Sequence, residues 1–213
     1  MSRYPHLAYT PHVVTVQEEM GSGAAGRRRL LGSAGHAEVP DPLTAAEAAF
    51  VQGLDGFLMA TVGDTGWPYI QFRGGPPGFV QVLDEHTLGY ADVRGNRQYI
   101  TMGNLRGDDR VALFFIDYAR QTRLKMFGRA AVTPAADAPG LLERLSPSRT
   151  DGQVEQLVTL TVEAFDWNCP KHITPRFSER ELAEALAPTR HRIAQLEGEV
   201  ASLRAELDAL RGP

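Results

Sequence analysis

GWPYIQFRGGPPGFVQVL (residues 66–83), GYADVRGNRQYITMGNL (89–105) and DRVALFFIDYARQTRLKMFGRA (109–130) carry the fold of this chain and its chemistry together. In each, a short run rich in Val, Ile, Phe and Tyr is joined to Gly, Asn, Gln or Arg, the spelling of a β-strand that delivers polar side chains to its end. An ordinary sheet scatters its cations over the solvent face among carboxylates. Here Arg73, Arg94, Arg97, Arg123 and Lys125 stand near strand ends with few acids beside them. Cations gathered in that way suit an anion, phosphate above all.

Outward from these strings the chain reads as further strands with flanking helices. Strands are predicted at 57–62 and 67–73, joined by the turn Gly63-Asp64-Thr65-Gly66, and at 79–83 and 87–91. A short helix is predicted over 96–105, a hairpin from 111–117 and 123–132, a helix over 138–145, and a last long strand over 154–165. On the N-terminal side, 12–20 suits a short helix, and the Gly- and Pro-dense segment 21–42 reads as loop. Thr44 followed by Glu47 spells a capping box for a helix through Leu54, with Ala45, Ala48, Ala49 and Leu54 expected to pack on the strands.

The C-terminal segment is different in kind. Ile193, Leu196, Val200, Leu203, Leu207 and Leu210 recur at spacings of three and four, an a/d heptad seam flanked almost wholly by charge. Ser178 with Glu181 suits a helix cap, and Pro188 marks an expected break or kink. The narrow stripe favours a parallel two-stranded coiled coil over a helix lying on its own domain, which needs a wider apolar face.

Composition bounds the function. At 213 residues and 43% hydrophobic content the chain can bury a real core, with 26 acids against 22 bases and a net charge of −4. That balance gives no basic footprint for nucleic acid. Its one dense cationic run, Arg27-Arg28-Arg29, is expected to be a solvated loop. A single cysteine, Cys169, excludes an internal disulfide, and the histidines lack ligand spacing, so no metal site is expected. Without a membrane-length apolar run or a signal-like N-terminus, the expectation is a soluble, cytoplasmic protein with no membrane partner.

Several residues qualify as ligand contacts. Tyr69, Gln71 and Arg73 alternate on one strand and so share a face. Arg94-Gly95-Asn96-Arg97-Gln98-Tyr99 follows a strand and opens the predicted helix, where outward N–H groups and two guanidinium groups favour an anion. Arg123 and Lys125 share a face of the hairpin, and Asp166-Trp167-Asn168 ends the last strand in bulky hydrogen-bonding residues. Lys171 and His172 could lower the Cys169 thiol pKa, although a lone Cys beside Pro is more often merely packed.

The strings RGGPPGF (73–79), RGNRQY (94–99) and DWNCPKHITPRF (166–177), in that order, resemble the pyridoxamine 5'-phosphate oxidase-like family of FMN-binding split barrels. The resemblance spans roughly 56–177, leaving an N-terminal helical and loop arm at 1–55 and a C-terminal helix at 178–213. It implies a mainly β fold, a six-stranded split β-barrel working as a homodimer, with FMN at the subunit interface and a small-molecule substrate. It places Arg97 on the FMN phosphate with Asn96 beside it, and Arg123, with Lys125 less directly, towards the flavin. It strengthens Gln71 and Arg73 as cofactor contacts, and has Trp167 and Arg176 closing over the neighbouring subunit's flavin. Gln98 and Asn168, inside the same strings, complete the candidate set. The oxidase's substrate-reading Arg-x-His is not recognisable, so the substrate and any catalytic residue stay open. Two alternatives accompany FMN: a deazaflavin-dependent reductase using Arg27–Arg29, or a non-catalytic flavin or haem binder with His172 as haem ligand.

Overall fold

Strand-forming runs bounded by Gly, Pro and Asp become a single antiparallel sheet in the computed structural model, which describes residues 2–147, 151–168 and 171–211. The strands are β1 (Gly56–Val62), β2 (Pro68–Gly74), β3 (Val80–Asp84), β4 (Thr87–Val93), β5 (Arg110–Asp117), β6 (Thr122–Pro134) and β7 (Val154–Asn168). They run in the order β2-β1-β5-β6-β7-β4-β3. The sheet thus has seven strands, each at a place where the sequence predicts one, where the resemblance implies six; β3 is a full ladder member, pairing Val80 with Tyr90 and Val82 with Leu88.

β2 and β3 are consecutive in sequence yet hold opposite edges of the sheet. In a flat sheet β1 and β4 would stand about 19 Å apart. Instead Phe57 of β1 meets Tyr90 of β4 edge to face at 5.7 Å, and stacks on Phe79 at 6.0 Å. The sheet is therefore curled into a barrel that is split between its two edge strands. Its interior holds Phe57, Met59, Phe115, Leu124, Met126 and Leu160, all essentially inaccessible to water. Each such side chain stabilises the fold by about 1.5–3 kcal/mol relative to exposure. The longest pairing, β6 with β7, shifts register between Phe127 and Gly128. A side chain at position 128 would meet the Thr161 carbonyl oxygen at 2.5 Å, so glycine permits the bulge.

The N-terminal residues belong to the same compact unit as the barrel, which comprises residues 1–117 and 121–172. They form α1 (Tyr4–Ala8), α2 (Pro11–Glu19), α3 (Gly23–Gly32) and α4 (Ala45–Gly53). α3 corrects the expected loop over 21–42. A side chain at Gly26 would run into the Gln17 side chain of α2, so its glycine marks close helix–helix approach rather than a turn. Asp41 ties the arm down, accepting hydrogen bonds from Ser2 Oγ at 2.5 Å, Arg3 N at 2.7 Å and Phe165 N at 3.0 Å. The Thr44–Glu47 capping box forms as expected. Ala45 and Ala49 stay exposed, however, because burial of Glu47 turns the face of Glu47, Val51 and Leu54 inward.

Two further helices complete this unit, α5 (Ile100–Gly107) between β4 and β5 and α6 (Pro139–Leu145) before β7. A second unit gathers residues 118–120 and 173–213. Its helix α7 (Glu179–Arg211) begins at a capping box, in which Ser178 Oγ donates to Glu181 Oε2 at 2.7 Å and accepts from Glu181 N at 3.2 Å. Pro188 lies inside α7 without breaking it. The carbonyl of Glu184 loses its helical donor there, but its surroundings are solvent-exposed, where water can replace the bond. No described helix is long and apolar enough to cross a membrane.

Candidate functional site

Alternation along β2 puts Tyr69, Gln71 and Arg73 on one face and Ile70 and Phe72 on the other. The polar three line a cleft of about 190 Å³, whose other wall is the end of β4, residues 95–99 and the start of α5. Tyr69 donates its hydroxyl to Gln71 Oε1 at 2.5 Å, which fixes the amide. Arg73 reaches across the split of the barrel to Asp92, with Nη1 3.2 Å from Oδ1. Its Nε is buried and has no hydrogen-bond partner. An orphaned buried donor costs about 1–3 kcal/mol, a penalty that a bound anion would remove.

The loop between β4 and α5 is held under strain. Arg94 N donates to Gln153 O at 2.8 Å, and its guanidinium lies 3.4 Å from Glu155, which also accepts from the Tyr99 hydroxyl at 3.0 Å. Asn96 Oδ1 accepts from Gln98 N at 3.1 Å, so this side chain folds the turn. Arg97 and Tyr99 both adopt left-handed backbone, with φ of 61° and 51°. Such conformations cost on the order of 1–3 kcal/mol each in a non-glycine residue and cluster where a ligand is gripped. They also delay the helix: it starts at Ile100, four residues later than the predicted start at Asn96, because a left-handed residue cannot sit in a right-handed turn. Tyr99 caps α5 without a side-chain hydrogen bond to the helix start, leaving its first N–H groups available beside the cleft. Arg97 and Gln98 are exposed on its rim. Arg73, Arg97 and the start of α5 can hold an anionic group of phosphate type.

Gln71, Arg73, Asn96, Arg97 and Gln98 therefore come together in one cleft, and the other candidates lie elsewhere. Arg123 faces Asn168 across the β6–β7 pairing, and among the described residues its Nε is the other buried side-chain donor without a partner. Lys125 is occupied, 3.4 Å from Asp166 and 4.8 Å above the Tyr4 ring. Trp167 donates its indole N–H to Glu47 Oε1 at 2.7 Å and packs edge-on against Phe50 at 4.8 Å. Burial pushes the Glu47 carboxyl up, but hydrogen bonds from Thr44, Trp167 and the backbone outweigh it and hold its pKa below the ordinary value. In the second unit, Arg176 lies over the Tyr118 ring at 5.0 Å. Arg27 pairs with Glu18, and Arg29 bonds Tyr9 and Asp166, so two cations of the basic run are engaged by neighbours. Cys169 falls outside the described residues. Sequence reasoning missed Asp92 and Glu155, whose partners are distant in the chain, and passed over Tyr99 although it stands inside the RGNRQY string.

Several solved structures overlap with this chain. A candidate pyridoxamine 5'-phosphate oxidase of Lactobacillus delbrueckii is 22% identical, with 60% of this chain and 96% of that one covered and a TM-score of 0.46. HupZ of Group A Streptococcus is 15% identical over 63% and 99% of the two chains, with a TM-score of 0.46. An FMN-binding protein of Syntrophomonas wolfei is 7% identical over 68% and 96%, again with a TM-score of 0.46. At these identities none of them assigns a ligand or a reaction to this chain. No curated protein sequence matches it. The profile of the pyridoxamine 5'-phosphate oxidase family matches residues 43–165, more than half of the chain, which therefore belongs to that family.

Proposed function

We propose that this protein is an FMN-dependent oxidoreductase acting on a small organic molecule, with FMN held between two copies of the chain. One observation carries the reading: Arg73 keeps a buried, unpartnered Nε in a cleft that it shares with Arg97 and the uncapped start of α5. The FMN phosphate fits that donor set, with Arg73 and Arg97 as charge-assisted contacts and Gln71 further along the same wall. When bound, the flavin supplies reversible two-electron redox chemistry. The chain's residues bind and orient it, and none stands out as a proton-transfer group.

A cleft of about 190 Å³ is smaller than the roughly 300–1,000 Å³ that encloses a ligand of this size. In this reading one chain supplies the phosphate end and a second copy the rest. β2 also offers such a copy an apolar contact surface on its other face, away from the cleft lining, where Ile70 and Phe72 are 61% and 60% exposed side by side with Leu58 and Ala60 of β1. Trp167, its N–H already engaged by Glu47, offers ring surface rather than a donor to a cofactor.

The test is a fluorescence titration of apoprotein with FMN and with riboflavin. Arg97→Ala should weaken FMN binding ten- to a hundredfold, the loss of one charge-assisted contact of about 1.5–3 kcal/mol, and leave riboflavin almost unaffected. An unchanged FMN dissociation constant refutes this placement of the phosphate. Purified protein that binds only a deazaflavin, or that shows a Soret band, overturns the choice of FMN. A screen of NADH, NADPH and oxidants on flavin-loaded protein then identifies the redox partners.

A further inference from the structure

The heptad seam of α7 is longer than the sequence pattern alone suggests, because the helix runs unbroken through Pro188. Continued N-terminally in the same register, the seam takes in Leu186 at a and Leu182 at d, giving about four heptads up to Leu210. Pro188 then falls at c, outside the seam, next to Thr189, which is the one polar residue at an a or d position between Leu182 and Leu210. Every apolar side chain of the stripe is 42–85% exposed in the single chain. A stripe this narrow, flanked by Arg190, Arg192, Glu197, Glu199, Arg204 and Glu206 at e and g, has the section of a helix–helix seam.

We propose that α7 pairs with α7 of a second copy as a parallel, in-register, two-stranded coiled coil from Leu182 to Leu210. Charge chooses the occupant and its direction. In parallel register Arg192 faces Glu197 of the second copy, and Glu199 faces Arg204, each pair opposite in sign. An antiparallel pairing that seats Val200 on Leu203 of the second copy keeps Glu197 against Arg204 but brings Glu199 to Glu206, like against like, whereas both parallel pairs are opposite in sign. Ile193 and Val200 at a with Leu196 and Leu203 at d follow the core pattern that selects two strands over three or four. Each chain ties its helix to a folded barrel, so any pairing of barrels raises the effective concentration of the helices for one another.

Two single-cysteine variants of the full chain, Leu182→Cys and Leu203→Cys, each in a Cys169→Ser background, test the register. The positions lie 21 residues apart, about 31 Å along the helix axis. Both should give disulfide-linked dimer under copper–phenanthroline at least tenfold faster than Ser202→Cys, which lies at the outward c position. An antiparallel pair can bring only one axial level to its own copy. Fast cross-linking at one position alone, or at neither, overturns the proposal. Sedimentation equilibrium supplies a second measurement on a chain carrying no new thiol. Replacing Leu196 and Leu203 by Asp should raise the dimer dissociation constant at least tenfold while barrel circular dichroism stays the same, and an unchanged constant overturns the proposal. Neither readout involves flavin, so its failure leaves the reading of the cleft where it stands.

Discussion

Around Asp41 and Glu47, buried carboxylates meet their donors one for one. Around Arg73, a buried guanidinium keeps a nitrogen that meets none. Both clusters join distant parts of the chain, yet only the first is complete. A satisfied network holds backbone together and contributes to stability, whereas an unsatisfied one leaves a donor free for a ligand or a water. The same contrast holds in the backbone: α4 starts from a full capping box, while α5 starts from a left-handed, uncapped Tyr99.

Substitutions in the two clusters should separate stability from binding. Asp41→Ala strips the acceptor from three donors, and should destabilise the fold by about 3 kcal/mol, at 1–3 kcal/mol per orphaned buried donor softened by solvent entry. Urea unfolding measures it, and flavin affinity of the folded fraction should not move. Arg73→Lys works the other way. Lysine keeps a cation facing Asp92 but has no Nε in a planar fork, so FMN should bind about tenfold more weakly, roughly 1.4 kcal/mol. Its unfolding free energy should stay within about 0.5 kcal/mol of the unsubstituted chain. Equal affinity for FMN in that variant would remove the orphaned nitrogen from the site.

Trp167→Phe retains the ring contact with Phe50 and deletes the hydrogen bond to Glu47, so a loss of about 1 kcal/mol is expected in thermal unfolding. The smallest effect is a pH dependence. The folded pKa of Glu47 lies below its ordinary value of 4.5, so its contribution to stability is complete above that pH. It is lost as the pH falls through the folded value. In a Trp67→Phe background the emission of Trp167 should therefore shift on acidification below 4.5, and Glu47→Gln should abolish the shift. A shift that survives in Glu47→Gln belongs to another group.

Much of the barrel is legible in sequence because alternation is local. β1, β2 and β5 begin and end within a residue of the positions predicted from periodicity, and the Thr44–Glu47 cap needs only its own four residues. α3 escaped because Gly23 and Gly26 look like turn residues until their contact with α2 is seen. The start of α5 was misplaced because left-handed backbone is read from Gly and Asn, and here it falls on Arg97 and Tyr99. In the site, Arg73 and Arg97 were legible as cations at strand ends. Lys125 looked equally free, since its pairing with Asp166 depends on strand register, which no local pattern carries. The Arg73–Asp92 bridge likewise exists only once the sheet has curled.

The open edge of the barrel has a consequence for how the protein is made. β2 carries Ile70 and Phe72 on its outer face, with Trp67 78% exposed just before its first residue. A folded single chain presents this apolar strip to solvent. Pro68 opens the strand and has no N–H to offer a stray strand, which guards only that end. Refolding from denaturant should therefore lose yield to clumping as the protein concentration rises.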